Sequence, residues 1–226
     1  MVTANPLQQQ RLARWLAEWH MDRALRGIPV PDSARPASPP ADTAPSVCAP
    51  ARPGDVRLLF PAHRPDIPDG PLYVAILAAA APGRHLLCPF SRFAEPATPG
   101  EWLTGFPMGP LRVLCLWNTR IVPDWILARS WPAGCLTASQ RIAAAEVVEH
   151  LRAGTPLKYT RDTDLGPPLL HPADPRWMYE AEAAGELDET LAALSAPLRW
   201  AAMDGSPAGA APLARAAESP PDYTCN

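Results

Sequence analysis

Thirty-one of the 226 residues are proline, about three times the usual share, and this limits what the chain can fold into more than any other feature. Proline lacks a backbone N–H and holds φ fixed, so it interrupts helix interiors and central strands. The prolines gather mainly before Pro53 and after Pro156, which leaves a foldable centre of about a hundred residues. With 47% apolar residues, one core with long tails is expected. The divisions that follow are a helix over 5–27, a proline-rich linker over 28–52, a small barrel over 53–155, and an acidic tail over 156–226 with short helices and a disordered C-terminus.

The first helix carries its own punctuation. Asn5 serves as N-cap with Pro6 in the first turn, and Gly27 supplies the left-handed residue after the last. Leu12, Trp15, Leu16 and Trp19 fall on one stripe, opposite Arg11, Arg14, Glu18, Asp22 and Arg26. The linker, with eight prolines over 29–53, reads as an extended tether. Two indoles on one stripe are costly to leave in water. The helix therefore either folds back onto the barrel or serves as a helix-in-groove ligand for another protein.

From Gly54 the pattern turns to strands. Residues 56–60, 72–79, 85–89 and 111–117 are short apolar runs between Pro, Gly and Asp clusters, the spacing of a barrel or sandwich. Residues 124–129 read as a helical turn and 131–136 as a last short strand. Thr137 then opens a capping box with Gln140, and the helix runs to Gly154. Ile142, Ala145, Val148 and Leu151 are its expected apolar face, which would plug one side of the barrel. In the tail, 175–184 and 186–194 read as two short helices broken by Gly185.

Residues 54–155 hold nine Arg against eight acidic groups, and the segment from 156 holds five basic against eleven acidic residues. That balance is poor footing for binding a phosphate backbone irrespective of sequence. The five cysteines form no C-x-x-C pair, so no zinc or other metal site is expected. Their odd number, with no signal peptide, points to a reducing cytoplasm. No apolar run is long enough to span a bilayer. The phosphate-cradling motifs are missing, so no nucleotide or other cofactor is expected.

Several landmarks recur in a telling order. Gly54-Asp55-Val56 opens the first strand, Pro71 precedes the strand over 72–77, and Ser91 lies two residues after Pro89. A strand over 113–117 then leads into Asn118-Thr119-Arg120, and Gly134 and Leu136 stand directly before the final helix. This segment, a little under half the chain, resembles the MazF/PemK family of SH3-like barrels. The resemblance implies a mainly β fold with flanking helices, a possible homodimer, and a groove that takes RNA or an antitoxin. It also implies metal-independent RNA cleavage by an arginine ahead of the second strand, aided by a hydroxyl that carries over to Ser91. Here Gly70 stands where that arginine would be. Losing a guanidinium that stabilises phosphate charge costs several kcal/mol in the transition state. Arg64, in the same loop, and Arg92, beside Ser91, are the arginines placed to substitute if activity survives.

Phe90, Arg92, Phe93 and Trp102 lie in a proline-stiffened loop region with no counterpart in that family's short catalytic loop. They form either a binding surface or a cover for the barrel end. Trp117 reads as core by strand alternation, whereas Asn118 and Arg120 could face a ligand. Three readings therefore stand. In the leading one the barrel is catalytically degenerate and works as a protein-binding regulatory module for an antitoxin- or sigma-factor-like partner, with Trp15 and Trp19 as a second contact. In the next it is an active endoribonuclease. In the third it is a scaffold. If Trp15 and Trp19 pack across the face bearing Ser91, the helix is a plug; if they face solvent, a partner is missing.

Overall fold

The computed structural model describes residues 5–25, 50–59, 72–106, 109 and 111–195. The architecture is mainly β with flanking helices. A five-stranded antiparallel sheet runs in the order β6-β3-β2-β1-β7, and β4 and β5 form a two-stranded ribbon. The strands are β1 (Asp55–Leu59), β2 (Leu72–Ala81), β3 (Arg84–Pro89), β4 (Glu101–Leu103), β5 (Val113–Cys115), β6 (Arg120–Pro123) and β7 (Trp131–Cys135). Around them lie α1 (Pro6–Leu25), the single turn α2 (Asp124–Leu127), α3 (Ala138–Ala153) and α4 (Arg176–Ser195).

The hairpin between β2 and β3 turns on Pro82 and Gly83, where Gly83 takes φ 69° beside the Ala81 and Arg84 pair. Proline presets the first central position of such a turn and glycine allows positive φ at the second. The ribbon joins the sheet through Phe90, which bridges to Leu114, and through the Ser91 amide, which donates to the Val113 carbonyl at 2.8 Å. This junction curls the sheet toward a barrel and places Ser91 at its lip.

Alternation along β2 sends Val74 and Ile76 to one face and Ala75 to the other, and both faces are buried. One core gathers Val56, Ala75, Cys88, Phe90, Trp102 and Leu114 under α3. The other gathers Leu59, Val74, Ile76, Leu87 and Val122 under α2 and α4. The α3 cap has the expected box, with the Thr137 side chain accepting from the Gln140 amide at 3.2 Å and the Gln140 side chain accepting from Thr137 at 2.8 Å. Gly154 closes the helix at φ 66°.

Three expectations are corrected here. The buried face of α3 is Ala143, Ala144 and Val147, with Val148 partly buried against the same core, while Ile142, Ala145 and Leu151 are exposed. Residues 143, 144 and 147 fall on one helical face, and that places positions 142 and 151 away from it. The two short helices expected over 175–184 and 186–194 are one 20-residue helix, Arg176–Ser195, that passes straight through Gly185, because Tyr179, Leu187, Thr190 and Leu194 hold one stripe buried along its length. Through Leu187 and Leu194 this helix covers the second face of the sheet. Trp117 is only half-buried, whereas Asn118 is fully enclosed.

Cys88 and Cys115 are buried free thiols, and burial pushes both thiols up from the usual cysteine range. Cys135 is disulfide-bonded, which the wide cysteine spacing did not indicate. No helix among the described residues is long and apolar enough to cross a membrane.

Candidate functional site

Of the residues singled out from the sequence, Ser91, Arg92, Phe93, Asn118 and Arg120, with Trp15 and Trp19, meet at the lip where β3, the loop 91–100 and the turn after β5 meet α1 and α4. Ser91 sits at the centre, 6% exposed. Its Oγ accepts from the Phe93 amide at 3.1 Å and lies 3.1 Å from the Tyr179 hydroxyl. Tyr179 donates in turn to Glu101 Oε1. Each hydroxyl has one proton, so with Glu101 ionised the chain has one consistent direction: Ser91 donates to Tyr179 and Tyr179 donates to Glu101. The Ser91 proton is thereby aimed inward, and an amide already occupies one of its oxygen's lone pairs.

Glu101 has no exposed surface and collects four donors. The amides of Ala97 and Thr98 serve Oε2, while the Tyr179 hydroxyl and the Cys115 thiol serve Oε1. Burial raises the Glu101 carboxyl above the ordinary glutamate range, and these hydrogen bonds only partly offset it. Burial, with the neighbouring Glu101 charge, holds the Tyr179 phenol well above its usual range.

The loop is braced from beneath by Arg176, 5% exposed. Its guanidinium donates to the carbonyls of Ala97 at 2.7 Å, Pro167 at 2.8 Å and Pro168 at 3.0 Å, and to Asp174 Oδ2 at 2.6 Å. A Cβ on Gly166 would stand 2.4 Å from the Thr98 backbone nitrogen, so only glycine admits this approach.

Among the described residues, the charged candidates Arg92 and Arg120 are engaged within the chain. Arg92 pairs with Glu186 and lies 3.9 Å from Asp22. Arg120 makes a forked pair with Asp188, at 2.7 and 3.0 Å. Asn118 Nδ2 donates to the Ala183 carbonyl at 3.2 Å. Phe90 and Trp102 belong to the barrel core. Phe93 packs instead in a separate cluster with Trp15, Trp19, Ala97 and Tyr179. Trp15 stacks on Trp19 with centroids 5.5 Å apart and meets Phe93 and Tyr179 edge-on at 5.7 and 5.1 Å. The first helix therefore lies folded back, across the face that bears Ser91.

Arg64 lies outside the described residues, as do His63, Asp66 and Asp69. His85 pairs with Asp124, and His150 Nδ1 lies 2.6 Å from the Thr155 carbonyl. Trp125 is half-exposed beneath Arg129. Tyr179, Arg176 and Glu95 were not anticipated. The signal for Tyr179 was the 179, 183, 187, 190, 194 spacing, which holds one helical stripe through Gly185.

No protein-family model and no curated protein matches the chain. Two solved chains from Deinococcus radiodurans are similar to it. One, in the MazE-MazF crystal structure (form II), is 20% identical over 47% of this chain and 98% of that one, with a TM-score of 0.37. The other, MazF (form I), is 19% identical over 48% of this chain and 100% of that one, also at 0.37.

Proposed function

We propose that the chain is a catalytically silent MazF/PemK-like barrel acting as a protein-binding regulatory module of the toxin-antitoxin kind. The observation that carries this reading is the state of Ser91. Its hydroxyl is buried and already bonded to the Tyr179 hydroxyl and the Phe93 amide, and the neighbouring Arg92 is paired with Glu186 on α4. A phosphodiester reaching this lip would meet neither a free hydroxyl nor a free guanidinium. Gly70 in place of the expected arginine supports the same conclusion. What the lip does offer is a surface that already accommodates helices, with aromatic and arginine side chains of the kind that anchor protein interfaces.

The test pairs two measurements on the full chain. Single-stranded RNA incubated without metal remains intact, and affinity capture from cells of the native organism recovers a protein in stoichiometric amount. RNA cleavage that is abolished by Ser91→Ala would overturn the reading in favour of an endoribonuclease.

A further inference from the structure

The bed on which α1 lies has the composition of a helix-docking groove. Its floor is Phe93, Ala97 and Tyr179, with Ala183 at the margin. Charges mark both ends. Glu95, 4% exposed, sits 3.3 Å from Arg14 and 3.5 Å from Arg11, while Glu182 and Arg92 receive Arg23 at 3.2 Å and Asp22 at 3.9 Å. The helix fits the groove by three features: two aromatics four residues apart, basic residues one turn ahead of them, and an acidic residue one turn behind.

Two observations mark α1 as a ligand of this groove more than a part of the fold. Its contacts outside itself fall within residues 92–97 and 162–183, none of them near it in sequence, and include Gln8 Nε2 donating to the Asp162 and Leu165 carbonyls at 2.9 and 3.3 Å. The fit is also incomplete, because Nε1 of Trp15 and Nε1 of Trp19 are both buried with no acceptor. A buried donor left unpaired is penalised in full. A helix with Phe or Leu at those two places, or a partner that brings an acceptor, avoids that penalty.

We propose that this groove is the docking site for an amphipathic helix of a partner protein, with the aromatic and charge pattern just described, and that α1 is the internal competitor that keeps it filled. The proposal rests on the protein-binding reading above and names the partner's chemistry. Because α1 belongs to the same chain as the groove, it competes intramolecularly, at an effective concentration on the order of millimolar. A partner present at about micromolar levels must therefore bind about a thousandfold more tightly than free α1 to take the groove. Weakening α1 raises the apparent affinity for an external helix by the fraction of grooves it opens.

The probe is a fluorescent peptide of residues 5–25, titrated into the full chain and into full-length Trp15→Ala/Trp19→Ala. A second variant, Arg11→Glu/Arg14→Glu, sets like charges against Glu95 and serves if the first does not fold. The expected result is at least tenfold tighter binding to a folded variant than to wild type, with no binding of a peptide that itself carries Trp15→Ala/Trp19→Ala. Equal binding to wild type and variants, or no binding to a variant with an intact thermal transition, overturns the proposal. Peptide binding as expected with no partner captured from cells would leave the groove standing and sink only the regulatory reading.

Discussion

Glu101 shows how one buried side chain can set both order and pH response. Taking a carboxylate out of water is tolerable only when its lone pairs are used, and here four donors use them. Even so, burial leaves its carboxyl raised. The folded protein therefore holds a proton that the unfolded chain has already released, so stability falls as pH rises from the ordinary glutamate value through the raised one. Glu101→Gln removes that slope. Its carbonyl can face the two backbone amides, and its amide can donate to the Tyr179 oxygen, whose proton then turns to Ser91. We expect the variant to lie within about 1 kcal/mol of wild type near pH 5 and to lose less stability than wild type by about pH 8, read by urea unfolding across that range. A steeper loss in the variant would mean that the ionised carboxylate is the form the fold requires. Asp174 works in the opposite direction. Its hydrogen bond to Arg176 holds its carboxyl below the usual aspartate range, so its contribution is lost as pH falls.

At the scale of elements, Gly185 is the clearest experiment the chain offers. It lies inside α4 without positive φ, and a Cβ built there meets nothing within 4 Å. Gly185→Ala should accordingly stabilise the protein by about 0.5–1 kcal/mol, the helix-interior difference between the two residues, measured as a rise in the thermal midpoint. A fall would show that the helix bends there in solution. The same position explains what could be read from the sequence and what could not. Strands β1, β2, β3 and β7 and helix α3 announce themselves through local signals: apolar runs, the Pro82-Gly83 turn, the Thr137 box and Gly154. Strand β4 has three residues and β6 has four, too few for a pattern, and each is held by pairing with β5 or β3. In α4 a local breaker outweighed a stripe that only tertiary burial justifies. That Ser91, Arg92, Asn118 and Arg120 lie near one another was legible from their places at strand ends. The closure of the site was not, because the partner of Ser91 stands 88 positions away and such pairings leave no local trace.

For the molecule as a whole, α1 and α4 sit on the same lip with different commitments. Helix α4 joins two clusters, contributing Tyr179 to the aromatic one and Leu187 and Leu194 to the core beneath the sheet. Leu187 is fully buried, so Leu187→Ala should lower global stability by about 2–5 kcal/mol. Helix α1 packs only into the aromatic cluster, leaves two indole donors unpaired, and is otherwise held by Gln8, which donates to the Asp162 and Leu165 carbonyls, and by ion pairs that are partly open to solvent. Pairs of that kind contribute about 0–1 kcal/mol each. A protein assembled this way opens in stages, with its least committed element detaching first. Native-state hydrogen exchange should find the α1 amides opening at a free energy at least about 2 kcal/mol below those of β2 and β3, with α4 protected alongside the strands. Leu187→Ala should lower the β2, β3 and α4 values together and leave the gap to α1 smaller. Protection of α1 equal to that of β2 would make it a fixed wall of the barrel. The lip could then not be cleared for another helix without unfolding the protein that carries it.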